Sequence, residues 1–331
     1  MGVAEEAPQT VLGHGATAEF FRFEHVTVGS LYMLFCIGGV VSNLLLIVTL
    51  LKDKKLLRGT TSWLHVGLAV ANIGVVAPSP FPASSHFSGK WLYGDKMCQA
   101  YAFEGMFVGL VAIGFVISLC IERYIVSARK EAMQENPSAF YWVATVLIVG
   151  NATFWAVMPV LGWSRYSIDH TGATCAIDWE NPDEGYMSYM TVLSVFSFGL
   201  PMLTAILCLY KSVPDPAPVG SAASGSGQQQ GTSGGQDEGT SSFTESQLRW
   251  LCLTFVALVL AGWGPFALLC IWAMVGNTGG VSMLAACIPP LSCKFVTMLY
   301  PLAYNVANNR CRAGYFSVIG AGAEGTSEKA E

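Results

Sequence analysis

The sequence predicts an all-α membrane protein, a bundle of seven transmembrane helices. Three observations lead there. The 331 residues are 53% apolar and only 12% charged, about half the charge fraction of an average soluble domain. Seven apolar segments reach spanning length, near residues 27–51, 63–82, 98–121, 140–161, 187–210, 248–274 and 282–304, and a segment of about 20 such residues crosses a hydrocarbon core. Basic residues at the segment ends gather on one side: Lys52, Lys54, Lys55, Arg58, Arg123, Arg129, Lys130, Lys211, Arg249, Arg310 and Arg312, against Arg22, Lys90, Lys96 and Arg165 on the other. That asymmetry predicts an extracellular N-terminus, residues 1–26, and a C-terminus in the cytosol.

Each segment has its own mark. The first holds a polar Asn43, and with no basic start before an apolar run in residues 1–26 it is expected to act as the insertion signal. The second is the weakest and ends in Pro78, Pro80 and Pro82. The third begins at Cys98, carries Glu104 and ends in Glu122-Arg123-Tyr124, where an arginine suits the negative end of the helix dipole. In the fourth, Asn151-Ala152-Thr153 is a glycosylation sequon by pattern only, since it lies at membrane depth. Pro201 in the fifth and Pro265 in the sixth, within Trp263-Gly264-Pro265, each remove a backbone donor and bend the helix. Residues 212–244 between them turn to Gly, Ser, Gln and Pro, which predicts a flexible cytoplasmic loop. The tail, residues 313–331, is short and polar, and Cys311 just before it is a candidate for palmitoylation.

The seventh segment contains Lys294, the only lysine within a predicted span. An ammonium at the bilayer centre costs roughly 2.5 to 3.5 kcal/mol on insertion scales, so a lysine there points to a function. Lys294 lies about 15 Å or more from either end of its helix at about 1.5 Å per residue, too deep to snorkel. An amine in an apolar pocket is the group that condenses with an aldehyde to a Schiff base. Most of the ten cysteines fall within spans and read as small core residues, whereas Cys98 and Cys175 fall on the oxidising side and can bridge. The five histidines are scattered and no Cys-x-x-Cys occurs, so no metal site is expected.

Together these marks resemble the rhodopsin-like G-protein-coupled receptors over roughly residues 27–312, and Lys294 narrows the resemblance to the animal opsins. Asn43, the Glu122-Arg123-Tyr124 triplet, Pro201, Trp263-Gly264-Pro265 and the outer loop from Gly162-Trp163 to Asp178-Trp179 carry it. Phe154-Trp155 resembles the non-visual group of peropsin, neuropsin and the retinal G-protein-coupled receptor. The resemblance implies retinal, 11-cis or all-trans, attached to Lys294 within a pocket of Tyr101, Gly109, Trp263 and Phe266. It implies a Cys98–Cys175 disulfide that tethers the outer loop as a plug, and an ionic lock between Arg123 and Glu245. It also implies a heterotrimeric G protein and arrestin as partners, besides the lipid bilayer; no nucleic-acid partner is expected. The glutamate that serves visual pigments as counterion is replaced by Tyr101. The other known location, six residues before the loop cysteine, is Asp169, which is the expected counterion; Glu104, one turn below Tyr101, is the alternative.

Several activation residues of the family are missing. Asn72 stands where an aspartate is expected, Tyr300-Pro301-Leu302-Ala303-Tyr304 replaces Asn-Pro-x-x-Tyr, Val149 replaces a tryptophan and Leu209 a tyrosine. These losses leave light absorption intact and bear on signalling, so two classes stay open: a light-activated receptor, or a retinal photoisomerase resembling retinochrome. A ligand-activated receptor with a merely structural Lys294 leaves the plug-loop match unexplained.

Overall fold

The computed structural model describes residues 12–57, 61–128, 137–212, 242–276 and 278–327. Among them are seven helices long and apolar enough to cross a membrane: Arg22–Lys52, Ser62–Ser88, Gly94–Ala128, Ser138–Val157, Glu184–Lys211, Glu245–Val275 and Met283–Ala307. Each matches one predicted segment. Of the sequence expectations, the loop at 213–241 and the basic residues Arg58, Arg129 and Lys130 lie outside the described residues.

The ends differ from the apolar runs for local reasons. The fourth helix stops at Val157 rather than 161, because Pro159 has no N–H to donate and disfavours helical backbone before it. The third continues past 121 to Ala128, since Glu122 and Arg123 find partners and need not leave the helix. The second breaks and resumes: Ser62–Val76 is followed by Pro80–Ser88, with Pro80 at the start of the new turn, a position where the missing donor is harmless. The sixth begins on a capping box, in which Thr244 and Gln247 satisfy each other's backbone donors.

The loop between the fourth and fifth spans holds a hairpin: Tyr166–Ile168 (β1) pairs antiparallel with Cys175–Ile177 (β2) in the register Tyr166↔Ile177 and Ile168↔Cys175. Cys311, the candidate for palmitoylation, lies in the first turn of a final helix, Asn309–Ser327, and is fully buried, which leaves no thiol exposed for that modification. That helix is held to the end of the first span by Arg310, whose guanidinium binds the Asp53 carboxylate and holds it below the usual carboxylate range.

The third span packs against the second, fourth, fifth and sixth spans and both strands. Its Val116, Leu119 and Cys120 are fully buried and meet Leu64, Leu251 and Phe255 in one core. The outer faces carry Leu34, Ile37, Val146, Leu147, Leu203 and Leu268, all exposed. Helices apolar on the outside as well as the inside are stable only where lipid surrounds them.

Candidate chromophore site

Lys294 is buried, and its Nζ donates to the Val75 carbonyl at 2.8 Å. That acceptor exists because of the prolines. In an unbroken helix Val75 O would receive the Ser79 N–H, but at the Pro78-Ser79-Pro80 break this donor goes to Val76 O at 3.0 Å. The freed carbonyl then meets the amine across two spans. The rings of Tyr32 and Tyr101 each lie 5.8 Å from Nζ, within reach of cation–π attraction.

Around the amine is a cavity of about 110 Å³, lined by Tyr101, Glu104, Asp169, Trp263, Phe266 and Lys294 among others. Its roof is the hairpin, with Cys175, Ala176, Ile177 and Trp179 facing inward, fastened to the third span by the Cys98–Cys175 disulfide. A second lobe of about 70 Å³ shares Met106, Trp263 and Phe266 with the first and extends toward Met190, Leu193 and Phe198 of the fifth span. Gly109 lines this second lobe and lets the Trp263 ring pack against the third span, because a Cβ there would overlap that ring. Together the two lobes make one mostly apolar space, with the Lys294 amine lining the first and Trp263, Phe266 and Phe198 lining the second. Such a space fits retinal, an apolar polyene with an aldehyde at one end and a ring at the other.

Both carboxylates singled out in the sequence line this cavity. The charge that acts most strongly on Glu104 is Lys294. Asp169 sits at the hairpin turn, where its Oδ1 accepts from Thr171 Oγ1 at 2.6 Å and Thr171 N at 3.2 Å. Burial nevertheless pushes its carboxyl up to about 7, as expected when an anion is taken from water. A fully polar shell would have kept it low.

At the end of the bundle away from the hairpin the structure brings Glu122, Arg123 and Glu245 together. Arg123 pairs with Glu122 at 2.7 Å and with Glu245 at 2.8 Å. Tyr124 stands aside, giving only its carbonyl to Ser127 in this arrangement. Three partners were not foreseen. Thr61 and Tyr141 donate to Glu122 Oε1 at 2.9 and 2.5 Å. His65 Nδ1 bonds the Tyr304 hydroxyl at 2.5 Å, and His65 was the one detectable signal, an ionisable group in an apolar run. Asn72 reaches Asn43 at 3.5 Å, while Asn43 also donates to the Gly39 and Thr297 carbonyls. An amide therefore occupies the junction of the first, second and seventh spans.

Residues 42–308 match the family model "7 transmembrane receptor (rhodopsin family)". Among curated relatives, human visual pigment-like receptor peropsin is 29% identical over 91% of this chain and 86% of its own. Retinochrome of Todarodes pacificus is 29% identical over 86% of this chain and 90% of its own, and the human RPE-retinal G protein-coupled receptor is 26% identical over 91% and 93%. The crystal structure of squid rhodopsin superposes with a TM-score of 0.76 at 19% identity, covering 90% of this chain and 86% of that one.

Proposed function

Because the chain belongs to the rhodopsin family of seven-transmembrane receptors, we propose that it is a non-visual photoreceptor that holds retinal on Lys294 and passes the light signal to a heterotrimeric G protein. The observation that supports this most is the buried Lys294 amine lining a mostly apolar cavity with an aromatic second lobe. When bound, retinal supplies an aldehyde that joins Nζ with release of one water, visible absorption, and a light-driven change of double-bond geometry.

The chain's own residues account for the rest. Val75 O and the Tyr32 and Tyr101 rings orient the amine. The hairpin, fastened by its disulfide, roofs the cavity and would keep bulk water from the Lys294 amine. Asp169 is the proposed counterion, and Glu104, the carboxylate coupled to the amine, is its competitor. Trp263 lies on the sixth span just before Pro265 and between the two lobes, so a change in cavity shape pushes on the bent part of that helix. Outward movement of the sixth span would separate Glu245 from Arg123 and open the cytosolic face, a rearrangement of packed helices between two states.

The retinal photoisomerase reading has support of its own. The chain resembles retinochrome as closely as it resembles peropsin. Leu209 is buried and has no hydroxyl for Tyr304, which is instead bound to His65. A light-dependent nucleotide-exchange assay with purified G proteins of each class separates the readings. Exchange that rises on illumination supports the receptor. No exchange with any class, together with 11-cis-retinal accumulating from all-trans under light, assigns the isomerase instead.

A further inference from the structure

Retinal is soluble in lipid and sparingly so in water, and the outer mouth of the cavity is roofed by the hairpin. A route through the side of the bundle is therefore needed. A groove of about 590 Å³ runs between the third, fourth and fifth spans, with Gly114, Ser118, Ala144, Leu147, Phe196 and Ser197 in its walls. Leu147 and Phe196 are 66% and 61% exposed, so the groove opens on the lipid face.

The groove and the second lobe of the cavity have two lining residues in common, Leu110 and Ser197. Both are buried, so the partition between bilayer and cavity is one side chain thick there. Ser197 lies in the middle of a π-helical turn, Ser194–Gly199, inserted between the two α-helical parts of the fifth span. Such turns are rare inside α-helices and are frequently found at functional sites. The Ser197 hydroxyl is latched to the Asn151 side-chain oxygen at 3.1 Å, which also accepts from Trp155 Nε1 at 3.0 Å.

We propose that this groove is the portal by which a lipid-dissolved retinoid passes between the bilayer and the cavity, crossing at Leu110 and Ser197. The proposal rests on the reading that retinal occupies the cavity. The occupant fits on two counts: the groove is apolar along its length, and its few polar side chains, Ser118, Asn151 and Ser197, suit a molecule with one polar end. It also follows from continuity with a cavity shaped for the same molecule.

The test uses the full chain in phosphatidylcholine vesicles loaded with 11-cis-retinal, with the appearance of visible absorbance followed in time. Leu147→Trp and Ala144→Phe fill the groove without touching the cavity, and slow pigment formation by about tenfold if they raise the passage barrier as overpacking does elsewhere. The final spectrum and amplitude stay those of the parent. Leu110→Ala thins the partition and speeds formation. Leu268→Trp, on the exposed face of the sixth span, leaves the rate unchanged. Equal rates for all variants at full amplitude overturn the portal while the retinal reading stands. A parent that forms no pigment overturns the retinal reading itself. A phospholipid retained by the parent in native mass spectrometry and lost from Ala144→Phe, with unchanged rates, assigns the groove to a structural lipid and also overturns the portal.

Discussion

At the scale of single residues, the site is built on two charges in unusual places. Lys294 was legible because one ammonium in a long apolar run needs an explanation. Its acceptor was not, because Val75 contributes a backbone carbonyl that only the chain break exposes. Asp169 was singled out only through the family resemblance, and its environment was not legible at all. Burial raises its carboxyl from 3.8 to about 7, so the folded chain keeps a proton that the unfolded chain has already lost. Folding stability then falls as pH rises between about 4 and about 7 and levels off above. Thermal unfolding of the retinal-free protein across this range shows that slope, and Asp169→Asn flattens it. An unchanged slope in the variant would show that Asp169 is not the group responsible. With retinal bound, Asp169→Asn is expected to shift the visible band more than Glu104→Gln does; the reverse order makes Glu104 the counterion.

At the scale of elements, apolar length located all seven spans. Where helices ended was less legible, since hydropathy reports the apolar run and not the hydrogen-bonded helix. The hairpin was missed because two strands of three residues carry no readable alternation. The break in the second span is more than punctuation. Pro78→Ala restores a donor at that position and lets the helix continue, so that Ser79 N returns to Val75 O and Lys294 loses its acceptor. The variant should fold, with an absorption maximum displaced from the parent's and slower pigment formation. A spectrum identical to the parent's would mean that the break does not set the lysine's position.

At the scale of the molecule, the described arrangement is a closed one. Arg123 bridges the third and sixth spans through Glu245, and Tyr304 of the seventh is held by His65 of the second. Glu245 is 65% exposed, and such pairs are worth about 0.2–1 kcal/mol, so Glu245→Gln should raise nucleotide exchange in darkness by at most about fivefold. Glu122 is fully buried beside Arg123 with two hydroxyl donors, and removing a partner from a buried pair is far more disruptive. Glu122→Ala should therefore lower the yield of folded protein, measured by size-exclusion chromatography after extraction, where Glu245→Gln does not. The half that holds the cavity was legible because it keeps the family's pocket marks. The half that holds Arg123 was less so, because His65, Asn72 and Leu209 replace the familiar network with contacts that only the packed helices reveal. The central claim, that Lys294 is the retinal attachment site, is tested most directly by the absorption spectrum of the purified protein after addition of 11-cis-retinal and of all-trans-retinal, repeated with Lys294→Ala. The account expects a visible band that responds to light in the parent and only the near-ultraviolet band of free retinal in the variant; a visible pigment that persists in Lys294→Ala would contradict it.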